Sequence, residues 1–151
     1  MDLYTLIKYV HVVAAITAVG LNLSYGVWLA RTGGATEYRA EVLRGIKFLD
    51  DRLANPAYVL LLLTGLAMVA VGSLSLSTTW IALALALYVV LVILGLGVFS
   101  RALKRQIEIL ESGGGDTATY AETARRTTVS GAVLVLIALV IVFLMVTKPT
   151  L

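Results

Sequence analysis

The chain contains 151 residues, of which 60% are hydrophobic and 14% are charged, and its mean hydropathy is +0.95. Soluble domains average roughly 45–50% apolar and about 25% charged residues, and a domain of ~150 residues buries only about 70% of its unfolded surface. The composition therefore excludes a water-soluble fold and predicts an integral membrane protein. The absence of cysteine excludes disulfides, thiolate metal sites and thioether-linked haem.

Four apolar segments are candidates for membrane-spanning helices. Residues 9–30 and 127–147 carry no formal charge, and each has about the 20 residues that a helix needs to cross the hydrocarbon core. Residues 53–100 are also uncharged, which is too long for one crossing and suits two crossings joined by a turn. Small hydroxyl residues at 72–79, followed by Trp80 at an interfacial position, mark that turn.

The predicted architecture is all-α, with one transmembrane domain over residues 1–151. It is a four-transmembrane-helix bundle with helices at about 3–31, 56–72, 79–110 and 116–148. The second helix has the clearest start, because Asn55 can cap free amides and the missing N–H of Pro56 costs nothing at the first helical position. The third and fourth helices run past the bilayer and form a hairpin with a soluble tip at the glycines 113–115.

The first loop, residues 31–54, has a helical pattern of its own. Tyr38, Val42, Ile46 and Leu49 recur at helical spacing among charged residues. This pattern predicts a short interfacial helix in the loop. Its apolar stripe lies either on lipid headgroups or on the neighbouring hairpin.

The distribution of basic residues predicts the orientation of the bundle. The first and third loops together hold ten of the twelve Lys and Arg residues, and the turn at 72–79 holds none. Short basic loops face the cytoplasm, so both termini face out, an N-out/C-out arrangement in the bacterial inner (plasma) membrane. The net charge of +3 then reflects topology, and nucleic-acid binding is not expected.

The only histidine, His11, lies a few residues inside the first span. An ionisable group in that position is expensive to bury in lipid and is a functional-site hypothesis by default. At about 100° per residue, Lys8, His11, Ala18, Asn22 and Tyr25 share one helix stripe, which should face the bundle or a partner. Two interpretations remain open: a metal ligand, haem ligand or proton carrier, and a neutral histidine hydrogen-bonded to a neighbouring helix.

Lys8, Lys148 and Met68 complete the predicted cofactor site, with Met145 as an alternative to Met68. Lys8 and Lys148 are expected on the same outer side as His11, where their ammonium groups would suit an anionic ligand. Each lysine equally fits an interfacial anchor for its helix. Met68 and Met145 lie at depths that permit either as a second axial ligand to a haem iron held by His11, although methionine in an apolar helix is usually core.

The remaining notable residues in the spans indicate helix packing, and the sequence contains no known catalytic or phosphate-binding motif. Thr64-Gly65 in the second helix, and Gly95 and Gly97 in the third, are interpreted as positions of close helix packing. The sequence contains no Ser-His-Asp set, paired acids, phosphate loop or multi-histidine motif, and no acidic residue falls within the uncharged spans. Ion-coupled transport is therefore not predicted.

Three motifs carry a resemblance to known families. They are Tyr4-x-x-Ile7-Lys8-x-x-His11-Val12, Asn55-Pro56-Ala57-Tyr58 leading to Leu63-Thr64-Gly65, and Met145-x-x-Lys148-Pro149. With them the chain resembles an uncharacterised bacterial family of four-helix integral membrane proteins.

More distantly, the first and last motifs resemble HemJ-type protoporphyrinogen oxidases and CopD-type membrane proteins. That resemblance implies a haem-binding, porphyrin-oxidising enzyme in which His11 ligates haem and Lys8 lies near the propionates. The sequence departs from the HemJ pattern in two places. HemJ-type proteins carry a lysine early in the third helix, whereas residues 81–84 of this chain are Ile-Ala-Leu-Ala. They carry an Asn-Glu-x-Pro run in the last helix, whereas residues 129–132 are Val-Ser-Gly-Ala.

Three functional hypotheses follow, and they leave open whether the chain is an enzyme. The first is a haem- or porphyrin-binding redox protein in which haem b is held by His11, with a homodimer as one way to supply two histidines. The second is a non-catalytic accessory subunit of a larger respiratory or photosynthetic membrane complex. The third is a carrier of a small hydrophobic molecule.

Overall fold

The computed structural model describes residues 2–31 and 38–149, so part of the first loop lies outside the described residues. Every regular element in these ranges is a helix: α1 Leu3–Arg31, α2 Arg39–Leu49, α3 Asn55–Val71, α4 Thr79–Leu94, α5 Ser100–Glu111 and α6 Ala118–Thr147. Wide π-helical turns, Asp50–Ala54 and Gly95–Phe99, join α2 to α3 and α4 to α5. The four resulting helices are long and apolar enough to span a membrane, which confirms the all-α, four-span prediction.

The spans are not arranged in chain order. α1 packs against α3 and α6, and α6 packs against α4, whereas the consecutive spans α3 and α4 do not pack closely against each other within the described residues. The order around the bundle is therefore α3, α1, α6, α4. The gap between α3 and α4 is called the seam below.

The two ends of the bundle differ in charge. One end, called the terminal end, carries Asp2, the turn at 72–78 and Lys148. The other, called the basic end, carries α2, α5 and the tip between α5 and α6. The packed core lies toward the basic end and consists of Tyr25, Leu29, Leu43, Ile46, Leu91, Phe99, Leu103, Leu134 and Ala138.

The helix predicted in the first loop is present as α2, and it packs on α5 of the hairpin. Its buried residues are Leu43 and Ile46, while Tyr38, which was expected on the same apolar stripe, is 65% exposed. A salt bridge of 2.8 Å between Arg44 and Glu111 ties α2 to the end of α5. The apolar stripe is thus covered mainly by protein.

The bounds of α3 agree with the predicted 56–72, but the predicted capping by Asn55 of a free helix end is wrong. Asn55 has a right-handed helical backbone and makes no capping bond, and the helix runs through from α2 to α3. Proline in a helix interior removes one hydrogen bond and crowds the carbonyl of the preceding turn. The π-helical turn directly before Pro56, in which the Asn55 N–H bonds to the Asp50 carbonyl, is where the helix accommodates that disruption.

Local signals set the remaining helix ends. The Asp2 carboxylate accepts hydrogen bonds from Thr5, which lowers the pKa of Asp2 and caps α1. The fourth span starts slightly later than predicted, because the Thr117 hydroxyl accepts the Tyr120 N–H and caps α6. Gly113 has φ +78°, a left-handed conformation that favours glycine after a helix.

The glycines predicted as packing positions behave differently from one another. A Cβ on Gly65 would lie 3.3 Å from the His11 ring, so this glycine does permit close approach. A Cβ on Gly95 would meet only a Leu134 methyl at 4.0 Å, and one on Gly97 would meet nothing within 4 Å. The packing interpretation of Gly97 is therefore wrong. Both glycines belong instead to the π-helical turn that redirects the third span.

The core at the basic end should carry most of the packing stability. Leu103 is fully buried there, whereas Leu136 is 63% exposed on the lipid-facing side of α6. Leu103→Ala should cost about 2–5 kcal/mol and clearly lower the thermal midpoint in mild detergent, since it leaves a cavity. Leu136→Ala should change the midpoint little. Equal shifts for the two variants would contradict this description of the core.

Candidate functional site

His11 lies on the face of α1 that packs against α3. Its Nδ1 is 2.9 Å from the Thr64 Oγ1, and the absence of a side chain at Gly65 lets the ring approach the α3 backbone. The ring is partly buried. His11 is therefore hydrogen-bonded to a neighbouring helix, as one of the two sequence interpretations predicted.

The contacts of Thr64 favour one imidazole tautomer. The Thr64 Oγ1 lies 2.6 Å from the Leu60 carbonyl, which is well placed to accept the single hydroxyl proton, so we infer that Thr64 acts as an acceptor toward His11. The proton of the neutral ring then resides on Nδ1, and Nε2 carries the lone pair. This is the arrangement in which second-shell hydrogen bonds hold metal-ligating histidines.

The other predicted site residues are distributed around the terminal end. Met68 lies on α3, one turn beyond Thr64 and one turn before Gly72. A Cβ on Gly72 would meet the Tyr4 ring of α1 at 2.9 Å. Met68 thus belongs to the face of α3 that meets α1. Lys8 is exposed, and the Lys148 Nζ lies 5.9 Å from the centre of the Trp80 ring of α4. That contact fits an anchor at the end of α6.

A second group of polar side chains lies deeper in the bundle and links three spans. The Asn22 side-chain amide of α1 donates to the Tyr58 hydroxyl of α3 and to the Ala18 carbonyl. The Tyr88 hydroxyl of α4 donates to the Tyr58 carbonyl at 2.7 Å, and the two tyrosine rings meet edge to face at 6.4 Å. Tyr88 therefore bridges the seam.

Asp50 lies beside this group and is 6% exposed. Asn55 and Ser100 are within hydrogen-bonding reach of its carboxyl group, and the Tyr25 and Tyr58 phenols are close enough for electrostatic interaction. Among the described residues, the Asp50 Oδ2 and the Tyr25 hydroxyl have no hydrogen-bond partner. Buried polar atoms are almost always paired, so this carboxylate oxygen marks a place where a donor can bind.

The seam contains a cavity of about 360 Å³. Asp50, Asn22 and Asn55 line its polar part, and most of the remaining lining is apolar. Residues at its edge, such as Val59 and Ile93, are more than half exposed on the lipid-facing surface. The cavity is thus an apolar, laterally open groove with hydrogen-bonding groups toward the basic end.

Sequence reasoning missed Asp50, because the start of the second span was placed at Asn55 and Pro56 and the preceding residues were assigned to the first loop. A usable signal exists nevertheless. Leu43, Ile46, Asp50, Ala54 and Ala57 recur at spacings of three and four residues, and all five are buried. Extending the apolar stripe of the first loop through the charged position would have predicted a buried carboxylate.

The fold and the seam define a multi-pass α-helical membrane protein with a laterally open cavity. Residues 5–149 match the sequence model of the family described as "Predicted integral membrane protein (DUF2269)". Because the match covers most of the chain, the chain belongs to that family. No curated protein and no solved structure matches the chain, so the distant resemblance to HemJ-type and CopD-type proteins gains no support from these comparisons.

The tautomer of His11 can be measured directly, because the chain has one histidine. In ¹⁵N-histidine NMR of protein purified without a histidine tag, His11 should show protonated Nδ1 and unprotonated Nε2. Thr64→Val should remove this preference, since the acceptor is lost. Thr17→Val, which deletes a hydroxyl bonded within α1, should leave the spectrum unchanged. A wild-type ring protonated on Nε2 would contradict the assignment.

Proposed function

We propose that this membrane protein binds a small amphipathic molecule in the seam, with a hydrogen-bond-donating head at Asp50 and an apolar body between α3 and α4. The observation that carries the proposal is the unpartnered Asp50 Oδ2 at the polar end of an apolar cavity. In its ionised form this carboxyl group only accepts hydrogen bonds, so the proposed head is a donor. A hydroxyl or an amine has this property.

The size of the cavity supports a small molecule as its occupant. Ligand pockets typically measure about 300–1,000 Å³, and this one measures about 360 Å³. Asp50 and Leu63, both lining residues, are 13 positions apart in helical conformation, which corresponds to roughly 20 Å. A partner helix, about 10 Å across, is too wide for a cavity of this volume. A role as an accessory subunit would therefore use another lipid-facing surface.

The polarity of the lining favours one orientation of the ligand. Asp50 and Asn55 lie toward the basic end, while Leu62, Leu63 and Val89 line the part farther from it. The head of the ligand would lie toward the basic end, which the loop charges predict to be cytoplasmic in a bacterial inner membrane. The proposed role is thus to hold or carry an amphipathic molecule in the inner leaflet.

Photo-cross-linking in nanodiscs tests the proposal. A diazirine-bearing hexadecanol should label the residues that line the seam, within 59–63 and 89–96. Asp50→Asn should raise the concentration for half-maximal labelling about tenfold or more, because a hydrogen bond to a charged acceptor contributes about 1.5–3 kcal/mol. Labelled positions are read by peptide mass spectrometry.

The matched control is Asp51→Asn, which removes the neighbouring exposed carboxylate that pairs with Lys47. Its labelling should equal that of the wild type. The methyl ether of the same probe, which cannot donate a hydrogen bond, should label the wild type about as weakly as the alcohol labels Asp50→Asn. Equal labelling by alcohol and ether would overturn the assignment of Asp50 as the head-group partner.

A second candidate function rests on the Nε2 lone pair of His11. In this proposal His11 ligates the iron of haem b, and the second ligand is Met68 or the His11 of a second copy in a homodimer. Lys8 and Lys148 would supply positive charge for the propionates. Within 2–31 and 38–149 no group of three or more His, Cys, Asp or Glu could hold a metal ion.

Absorption spectra of oxidised and dithionite-reduced protein, purified in mild detergent from haem-replete cells, test this candidate. It predicts a Soret band that His11→Ala abolishes. Met68→Leu should shift the reduced spectrum if methionine is the sixth ligand and leave it unchanged if a second His11 is. A colourless wild-type protein would rule out the haem hypothesis while leaving the seam proposal intact.

A further inference from the structure

A second cavity, of about 280 Å³, lies at the basic end, away from the seam. It is formed by four helices: α1 contributes Leu29, α2 contributes Arg39, α5 contributes Gln106, and α6 contributes residues within 120–128. Its position can be related to the bilayer. Leu29 is near the end of the first uncharged run, and Thr128 is near the start of the last one. The cavity is therefore at the level where the hydrocarbon core gives way to headgroups.

Positive charge dominates the lining of this cavity. Arg39 and Arg125 both border it, and none of the described residues that line it is acidic. The Arg39 guanidinium lies over the Tyr120 ring, 5.2 Å from its centre. A cation held against a ring on one side is positioned in advance.

The floor of the cavity contains a buried amide with an unused atom. Gln106 is 3% exposed, and its Nε2 lies 3.0 Å from the Tyr120 hydroxyl, which leaves Oε1 without a partner. Rotating the amide by 180° exchanges the two atoms, after which Tyr120 donates to Oε1 and the NH₂ group is unused. In the second arrangement a buried donor lines the same cavity as the two arginines.

We propose that this cavity binds the phosphate of an anionic phospholipid headgroup, with Arg125 and the Gln106 NH₂ as donors and the charge of Arg39 beside them. Arginine pairs with phosphate through two parallel hydrogen bonds, and basic pockets between helices at the cytoplasmic side of a membrane suit anionic headgroups. A soluble phosphate has the same chemistry, but the cavity lies at headgroup depth, where lipid phosphates are concentrated. The inference is independent of the ligand proposed for the seam.

The test is native mass spectrometry of delipidated protein titrated with phosphatidylglycerol or phosphatidylcholine. The wild type should retain phosphatidylglycerol more tightly than phosphatidylcholine. Arg125→Gln should weaken phosphatidylglycerol binding about fivefold or more. Gln106→Leu, which fills the same space without a donor, should weaken it as well. Circular dichroism checks that both variants remain helical.

The matched control is Arg126→Gln, which removes the same charge from the next residue of α6 without altering the cavity lining. Its binding should stay within twofold of the wild type. Equal losses for Arg125→Gln and Arg126→Gln would reduce the effect to general surface charge and overturn the proposal. Inorganic phosphate at millimolar concentration provides a second control. If it displaces phosphatidylglycerol and binds more tightly than the lipid does, the cavity takes a soluble phosphate and the phospholipid proposal is overturned.

Discussion

The hydrogen-bonded group of Asn22, Tyr58 and Tyr88 is the interaction on which the arrangement of the spans depends. In a bilayer, apolar side chains gain little by leaving lipid for protein, so packing, polar contacts and close approach decide which helices associate. Asn22 ties α1 to α3, and Tyr88 reaches α3 across the seam from α4. Within the described residues α3 packs mainly against α1, and α4 packs mainly against α6, and the cavity lies between α3 and α4.

The same α1–α3 interface positions both candidate sites. Toward the terminal end, Thr64 orients His11 and Gly65 admits its ring; toward the basic end, the π-helical turn carries Asp50 to the polar end of the seam. A wide turn inserts one extra residue into a helix, which changes the face that the following residues present. The feature that accommodates Pro56 therefore lies beside the cavity, with Asp50 as its first residue.

The number of spans and the hairpin could be predicted from the sequence, because uncharged runs of helix-spanning length leave few alternatives. The stripe through His11 and Asn22 likewise indicated which side of α1 faces protein. The partners of those residues could not be predicted, since the contact between His11 and Thr64 depends on the register of α1 against α3. Asp50 was missed for a different reason: its charge was read as the mark of a loop, while the helix continues through it.

The proposed arrangement, in which α3 and α4 are separated by a seam open to lipid, is tested most directly by measuring how accessible the seam is to lipid. The chain lacks cysteine, so Leu62→Cys, Leu136→Cys and Leu144→Cys would each carry a single nitroxide label. Leu62 lines the cavity, Leu136 faces lipid and Leu144 is buried. The labelled protein is delipidated and returned to nanodiscs, and electron paramagnetic resonance then measures how often each label collides with dissolved oxygen. The label at position 62 should collide as frequently as the label at 136. A label at 62 that is as shielded as the one at 144 would mean that α3 and α4 pack together, and would contradict the account.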